Sequence, residues 1–248
     1  MFLNPFLPYK KPDIVIVDGR ISEDIIKKLE YMKIKVIKTR KHNKLYDAIS
    51  YHPDIIIHPI DSKTIIVEPS EYTYYKDILK NHNVKVLKGE VYLDRNYPNN
   101  IAYNVARLRN FAIHKIKHMD PKLKYYLKKN NYEFINVKQG YSKCSIAIVA
   151  ENSIITSDKG IEKELKKYGI NVLLINEGYI NLKGLNYGFV GGSVGVLNKN
   201  KVFFSGEYSH HPDYRKINNF IIKNGKKPKK LSNKKLIDIG SIIPLICN

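Results

Sequence analysis

The sequence predicts a mixed α/β fold in which a strand, strand, helix, strand unit recurs five times and closes into a ring, a five-bladed α/β-propeller that takes residues 1–248 as one domain. Three observations carry this expectation. Short β-branched runs begin at five anchors, Asp54 (DIIIHP), Asn100 (NIAYNV), Cys144 (CSIAIV), Gly192 (GSVGVL) and Gly240 (GSIIPL), which lie 46, 44, 48 and 48 residues apart. A fixed period of this length marks repeated supersecondary units. After four of the anchors a polar turn and a second apolar run follow, the signature of a hairpin. The remaining unit takes its first strand from the C-terminal end of the chain and the rest from the N-terminal end, so one blade is closed by both termini and no sheet edge is left free at the closure.

Taken in order, the run IVIV predicts a strand over 14–17, Ser22 starts a helix over 22–33, and a strand follows over 34–37. The second unit places strands at 54–59 and 64–67 around the turn Asp61-Ser62-Lys63, a helix over 70–82 and a strand over 84–87. The third places strands from 100 and over 110–114 around Arg107-Leu108-Arg109, then a helix over 120–130. There Asp120 caps and Pro121 takes the first helical position, where the missing N–H costs nothing. A strand over 133–137 completes that unit. The fourth has strands from 144 and over 154–156, a helix over 159–168 and a strand over 170–175. The fifth has strands from 192 and over 202–204, and a helix over 213–223 that Asp213 is expected to cap. Gly169 and Gly225 fit the left-handed residue that ends a helix. The lysine-rich stretch 226–231 is a weaker strand pattern, and 240–245 returns to the N-terminal blade.

Composition narrows the class. At 43% hydrophobic and 27% charged the chain reads as globular. Its longest apolar runs are strand-sized, far short of the ~20 residues of a membrane-spanning helix. The first eleven residues lack the basic start and apolar core of a secretory signal, so the expected compartment is the cytoplasm. Cys144 and Cys247 form neither a disulfide framework nor a zinc pattern, and no cofactor motif is visible. Cys247, near the chain end, reads as a packing or frayed thiol. The net charge of +20 suggests a nucleic acid or another polyanion, although the lysines are spread along the whole chain.

The ring of five units, with the strings HPDII, YNVA, VKQGYSKCS, LNYGFVGGS and DIGSIIPL, resembles the pentein fold of guanidino-group-modifying enzymes, in an uncharacterised bacterial branch. That resemblance implies a cysteine nucleophile, a histidine and two carboxylates gripping a guanidinium at the ring centre. The family's cysteine follows glycines near the C-terminus. Here the corresponding string is Asp238-Ile239-Gly240-Ser241-Ile242-Ile243, without a thiol. Cys144 is the one cysteine at an equivalent place in another unit.

If the anchors line the ring centre, Asp54, Asn100, Cys144 and Gly192 converge at one mouth. Cys144 is then a nucleophile, activated if the Lys143 cation turns the same way, or else a small buried apolar residue. His-Pro-Asp occurs at 52–54 and again at 211–213, so His52, His211 or the preceding His210 would carry the proton. Asp54, Asp158 and Glu207 would clamp a planar cation; the alternative for Asp158 and Glu207 is that they start helices. Gly192, within Gly191-Gly192-Ser193, permits a close backbone approach by a ligand or another blade. Two functions follow: a thiol-dependent hydrolase or deiminase acting on a small guanidino or amide substrate, or a non-catalytic protein whose basic surface engages RNA or the ribosome, as in the pentein translation initiation factor 6.

Overall fold

The computed structural model describes residues 4–246, and Cys247 lies outside the described residues. In chain order the first blade opens with β1 (Ile14–Val17), α1 (Glu23–Tyr31) and β2 (Lys35–Lys38). The second is built from α2 (Pro53–Ile56), β3 (Ile57–Pro59), β4 (Thr64–Val67), α3 (Tyr72–Leu79) and β5 (Lys85–Lys88). The third holds β6 (Ala106–Leu108), β7 (Phe111–His114), α4 (Pro121–Lys129) and β8 (Glu133–Asn136). The fourth holds α5 (Ser142–Ser145), β9 (Ala147–Ala150), β10 (Ser153–Thr156), α6 (Lys159–Lys166) and β11 (Asn171–Leu174). The fifth holds β12 (Val194–Asn198), β13 (Lys201–Phe204), α7 (Tyr214–Lys223) and β14 (Lys227–Lys230). Finally β15 (Ile243–Leu245) returns to the first blade, where Ile14 faces Leu245 and Ile16 faces Ile243.

Each blade is a three-stranded sheet. In every blade the first strand runs antiparallel to the second, and the second runs parallel to the third. A parallel neighbour requires a crossover, and the helix supplies it. Each crossover helix buries an i, i+4 pair: Ile25 and Leu29, Tyr75 and Leu79, Leu123 and Leu127, Ile161 and Leu165, Ile217 and Ile221. Residues so spaced share one helical face, so one apolar stripe seals each helix to the core. Among the described residues no helix is long and apolar enough to cross a membrane.

Three local expectations need correction. The anchors do not open strands: Asp54 and Cys144 lie on the short helical turns α2 and α5, and Gly192 on a 3-10 turn over Gly191–Ser193. In the third unit the inner strand is Ala106–Leu108, part of what read as a polar turn. Its central residue explains the misreading, because the Arg107 guanidinium is fully buried. It donates to Pro59 O at 2.7 Å, Ile60 O at 2.8 Å and the Tyr132 hydroxyl at 2.5 Å. The third correction concerns Asp213, whose carboxylate makes no capping bond to α7; it accepts from Asn176 N and from Lys216 Nζ, both at 2.7 Å. The weak pattern at 226–231 does form a strand, at an outer edge, where lysines and a proline discourage pairing with another chain.

Gly169 closes α6 at φ +68, with nothing within 4 Å of the position a Cβ would take. Gly169→Ala should therefore cost only the backbone penalty of a left-handed residue, about 1 kcal/mol. A lower urea midpoint at unchanged slope is the measurement that shows it.

Candidate active site

All five blades contribute to one buried network. Asp54 and Cys144 come from α2 and α5, Asn104 precedes β6 by two residues, Ser241 precedes β15 by two, and Gly191 opens the turn before β12. Cys144 Sγ lies 3.2 Å from each carboxylate oxygen of Asp54 and donates its proton to that group. Asn104 Nδ2 donates to Sγ at 3.2 Å, while its Oδ1 accepts from the amides of Lys143 and Cys144 at 2.8 and 3.2 Å. Ser241 Oγ stands 2.7 Å from Asp54 Oδ2 and 2.9 Å from Gly191 O, and Lys143 Nζ donates to Ser241 Oγ at 2.8 Å. Asp54, Asn104, Lys143, Cys144 and Ser241 are each at most 4% exposed, so these contacts form out of reach of bulk water.

His52, two residues before Asp54, sits between two acids. Its Nε2 is 3.8 Å from Asp18 and its Nδ1 3.9 Å from Asp238, and neither ring nitrogen has a hydrogen-bond partner. Asp238 is fixed by its neighbours' backbones, accepting from Phe189 N and Gly240 N, both at 2.9 Å. The glycines allow this density. A Cβ at Gly191 would collide with the backbone of Lys143 and Ile146, and one at Gly192 with the Asp238 carboxylate. Gly192→Ala should displace Asp238 and cost about 1–3 kcal/mol, the range for overpacking a filled core. Comparing its thermal midpoint with that of the unaltered protein checks this.

A cavity of about 260 Å³ reaches this cluster, with Cys144, His52 and Asp238 on its wall among Tyr46, Tyr141 and Phe189. Asp54 is not on that wall; it backs the thiol. Burial pushes the Cys144 thiol well above its ordinary range, and the charges of Asp54 and Asp238 push it further. Burial also raises the Asp238 carboxyl and lowers Lys143. The resting group is a protonated thiol, and the adjacent lysine does not reverse that because the carboxylates and desolvation outweigh it.

His52, Asp54 and Cys144 each offer a ligand atom within 4.8 Å of the others, which is also metal-site spacing. The Asp54 oxygens and Sγ already bond to Ser241, to each other and to Asn104. We read the cluster as a hydrogen-bonded thiol site.

The remaining sequence candidates lie apart from this network or only border it. Asn100 Oδ1 accepts from the Tyr141 hydroxyl at 3.0 Å and so braces the cavity wall. Gly192 adjoins Asp238. Asp158 caps α6 through Ile161 N at 2.9 Å, and it shares a separate cleft with Asp213 and Lys216. Glu207 pairs with Lys230 at 2.5 Å, and that bond holds its carboxyl down at about 2. His211 Nε2 lies 3.1 Å from Asn176 O, and its Nδ1 accepts from Asp213 N; His210 is exposed. Asp158, Glu207 and His211 are thus each engaged in local bonds of their own blades. Asn104, Asp238 and Ser241 were not singled out from sequence. Asn104 and Ser241 share one signal, a polar residue two places before an inner strand.

The fold matches solved enzymes across nearly their full length. The SxtG amidinotransferase of Microseira wollei superposes with a TM-score of 0.56 at 14% identity, covering 92% of each chain. A variant of DDAH from Pseudomonas aeruginosa complexed with citrulline gives 0.57 at 10% identity, over 90% of this chain and 92% of that one. The agmatine deiminase of C. jejuni gives 0.56 at 8% identity, over 93% and 92%. The resemblance expected from the repeat is thus realised as the five-bladed pentein fold. No curated protein matches the sequence. The sequence matches the family of unknown function DUF6873 over residues 16–243, and the chain belongs to that family.

Proposed function

We propose that this protein is a thiol-dependent enzyme that cleaves a C–N bond of a small cationic amidino or guanidino compound. The observation that supports it most is the meeting of Cys144, Asp54 and His52 within 4.8 Å, beside a cavity on whose wall the Asp238 carboxylate also lies. A buried thiol is inert while protonated. A cation held at Asp238 offsets the negative charge around Cys144, so binding itself draws the thiol toward thiolate. As Sγ bonds to the amidino carbon, its proton passes to Asp54. The C–N bond then breaks, and His52 gives the leaving nitrogen a proton. His52 then takes a proton from water as its oxygen bonds to the carbon, the C–S bond breaks, and Asp54 returns its proton to the sulfur. Asp238 stands nearer the cation than Asp54, which shifts the clamping role expected for Asp54 to that of proton acceptor.

The three structural relatives named above are described as enzymes, two of them by small molecules they bind or act on, and none as a nucleic-acid binder. The RNA-binding alternative rests on the net charge of +20 and on Ile243 standing where the family's cysteine is expected. The test is alkylation of the native protein with 2-chloroacetamidine, a cation, and with neutral 2-chloroacetamide. The cationic reagent should label Cys144 stoichiometrically and at least tenfold faster, and acetamidinium should protect. A thiol inert to both until the protein is denatured would refute the reading.

A further inference from the structure

Lys143 has no role in the mechanism above. It precedes the nucleophile, is 4% exposed and is not on the cavity wall, so it does not touch a ligand there. A lysine buried this completely is costly unless its charge is matched. Its Nζ donates to Gly191 O at 3.2 Å and to Ser241 Oγ at 2.8 Å, and lies 5.1 Å from the centre of the Phe6 ring.

The Ser241 hydroxyl has one hydrogen and two acceptors in range, Asp54 Oδ2 at 2.7 Å and Gly191 O at 2.9 Å. It can serve only one. With Lys143 donating to both Gly191 O and the Ser241 oxygen, the carbonyl is satisfied and the serine hydrogen is left for Asp54. The backbone at Ser241 is held at φ +70, a left-handed conformation that a serine rarely adopts, and this places the hydroxyl between the two acceptors.

We propose that Lys143 is a positioning residue for the thiol: it fixes the Ser241 hydroxyl on Asp54 and supplies the counter-charge that keeps this buried carboxylate ionised, ready to accept the Cys144 proton. The relay runs Lys143, Ser241, Asp54, Cys144, from the fourth blade to the first, to the second and back to the fourth. The titratable groups facing it are Asp54, Asp238 and Cys144, with His52 beside Asp54 and His58 near enough to feel the lysine charge. Among these, Lys143 is the one fixed cation. Without it, a carboxylate facing a second acid in a dry site takes up a proton and no longer accepts one. Burial lowers the lysine, and the neighbouring Asp54 charge works to restore it.

The mechanistic value of the relay rests on the function proposed above, but its test does not. Lys143→Met keeps the side-chain length and removes the charge. At pH 7, infrared difference spectra should show a protonated carboxyl band in Lys143→Met that is absent in the unaltered protein and absent again in Lys143→Met with Asp54→Asn. In the same variant, Cys144 should react with 2-chloroacetamidine at least tenfold more slowly. Ser241→Ala, which removes only the hydroxyl, should show the same band and a slower reaction, and serves as the probe if Lys143→Met does not fold. An Asp54 that stays ionised in the folded variants overturns the proposal. If the band appears but the unaltered thiol is inert to both reagents, the charge relay stands and the enzymatic reading falls.

Discussion

Asp238→Asn should abolish the preference of Cys144 for a cationic alkylating reagent while leaving its reaction with a neutral one no slower. Asp238 is the carboxylate on the cavity wall, 2% exposed, and it is fixed by two backbone donors. Removing one partner of a desolvated charge pair costs roughly 2–5 kcal/mol, so labelling by 2-chloroacetamidine should slow by at least about thirtyfold. The effect on a neutral reagent has the opposite sign. The Asp238 charge helps to hold the thiol protonated, and its removal lets Cys144 move back toward its ordinary range. 2-Chloroacetamide should therefore react at an equal or greater rate. The asparagine amide also faces a backbone N–H that the carboxylate had satisfied, so a stability loss of about 1–2 kcal/mol is expected. That loss is separable, because local unfolding would raise both alkylation rates together. Equal slowing with both reagents, or an undiminished cation preference, would remove Asp238 from the site.

Much of the architecture was legible because it rests on period and alternation. β1, β4, β7, β10 and β13 are runs of apolar and β-branched residues between turn signals, and each helix carries its buried i, i+4 pair in plain view. The third blade was misread where the two cues separate. Ile101 and Val105 look like strand residues but lie before the strand, and Arg107, which looks like a turn residue, is inside it with its charge spread over two carbonyls and a tyrosine hydroxyl. That slip moved the anchor from Asn104 to Asn100 and hid the residue that touches the thiol. Cys144, Asp54 and His52, which the fold brings together, stood out because their own strings carry reactive groups. Asp238 and Ser241 did not, because their roles depend on chain closure, which brings residues almost 190 positions apart to 2.7 Å. Asp158, Glu207 and His211 had suitable chemistry but are taken up by a helix cap, an ion pair and a backbone carbonyl, while His210 is exposed, and residue type alone does not tell these uses from a site.

Two further histidines decide how the fold meets acid. His58 in β3 and His114 in β7 are at most 1% exposed and belong to neighbouring blades. Burial drives His58 well below its ordinary value and His114 down to about 3 from 6.5, so both are neutral in the folded protein. An unfolded chain protonates both once the pH falls below about 6.5. A histidine depressed by folding stabilises above its unfolded value, and that contribution is lost as the pH falls, here through the interval from 6.5 down to about 3 for His114. Each histidine costs about 1.4 kcal/mol per pH unit in that interval. The Asp238 carboxyl, raised by burial, acts in the opposite direction and offsets up to one of them. Lowering the pH from 6.5 to 5 should thus remove between about 1.5 and about 3 kcal/mol, a large part of the roughly 5–15 kcal/mol that holds a domain folded. The depressed carboxylates Asp24 and Glu207, both near 2, do not begin to titrate until lower pH and leave this interval clear. Urea unfolding of the unaltered protein and of His114→Leu at pH 7 and pH 5 isolates one histidine, since every other group is common to both chains. The variant should lose about 2 kcal/mol less over that step. An equal loss in the two proteins would mean that His114 is hydrated or already charged in the folded state, and acid lability would then have to arise at the carboxylates.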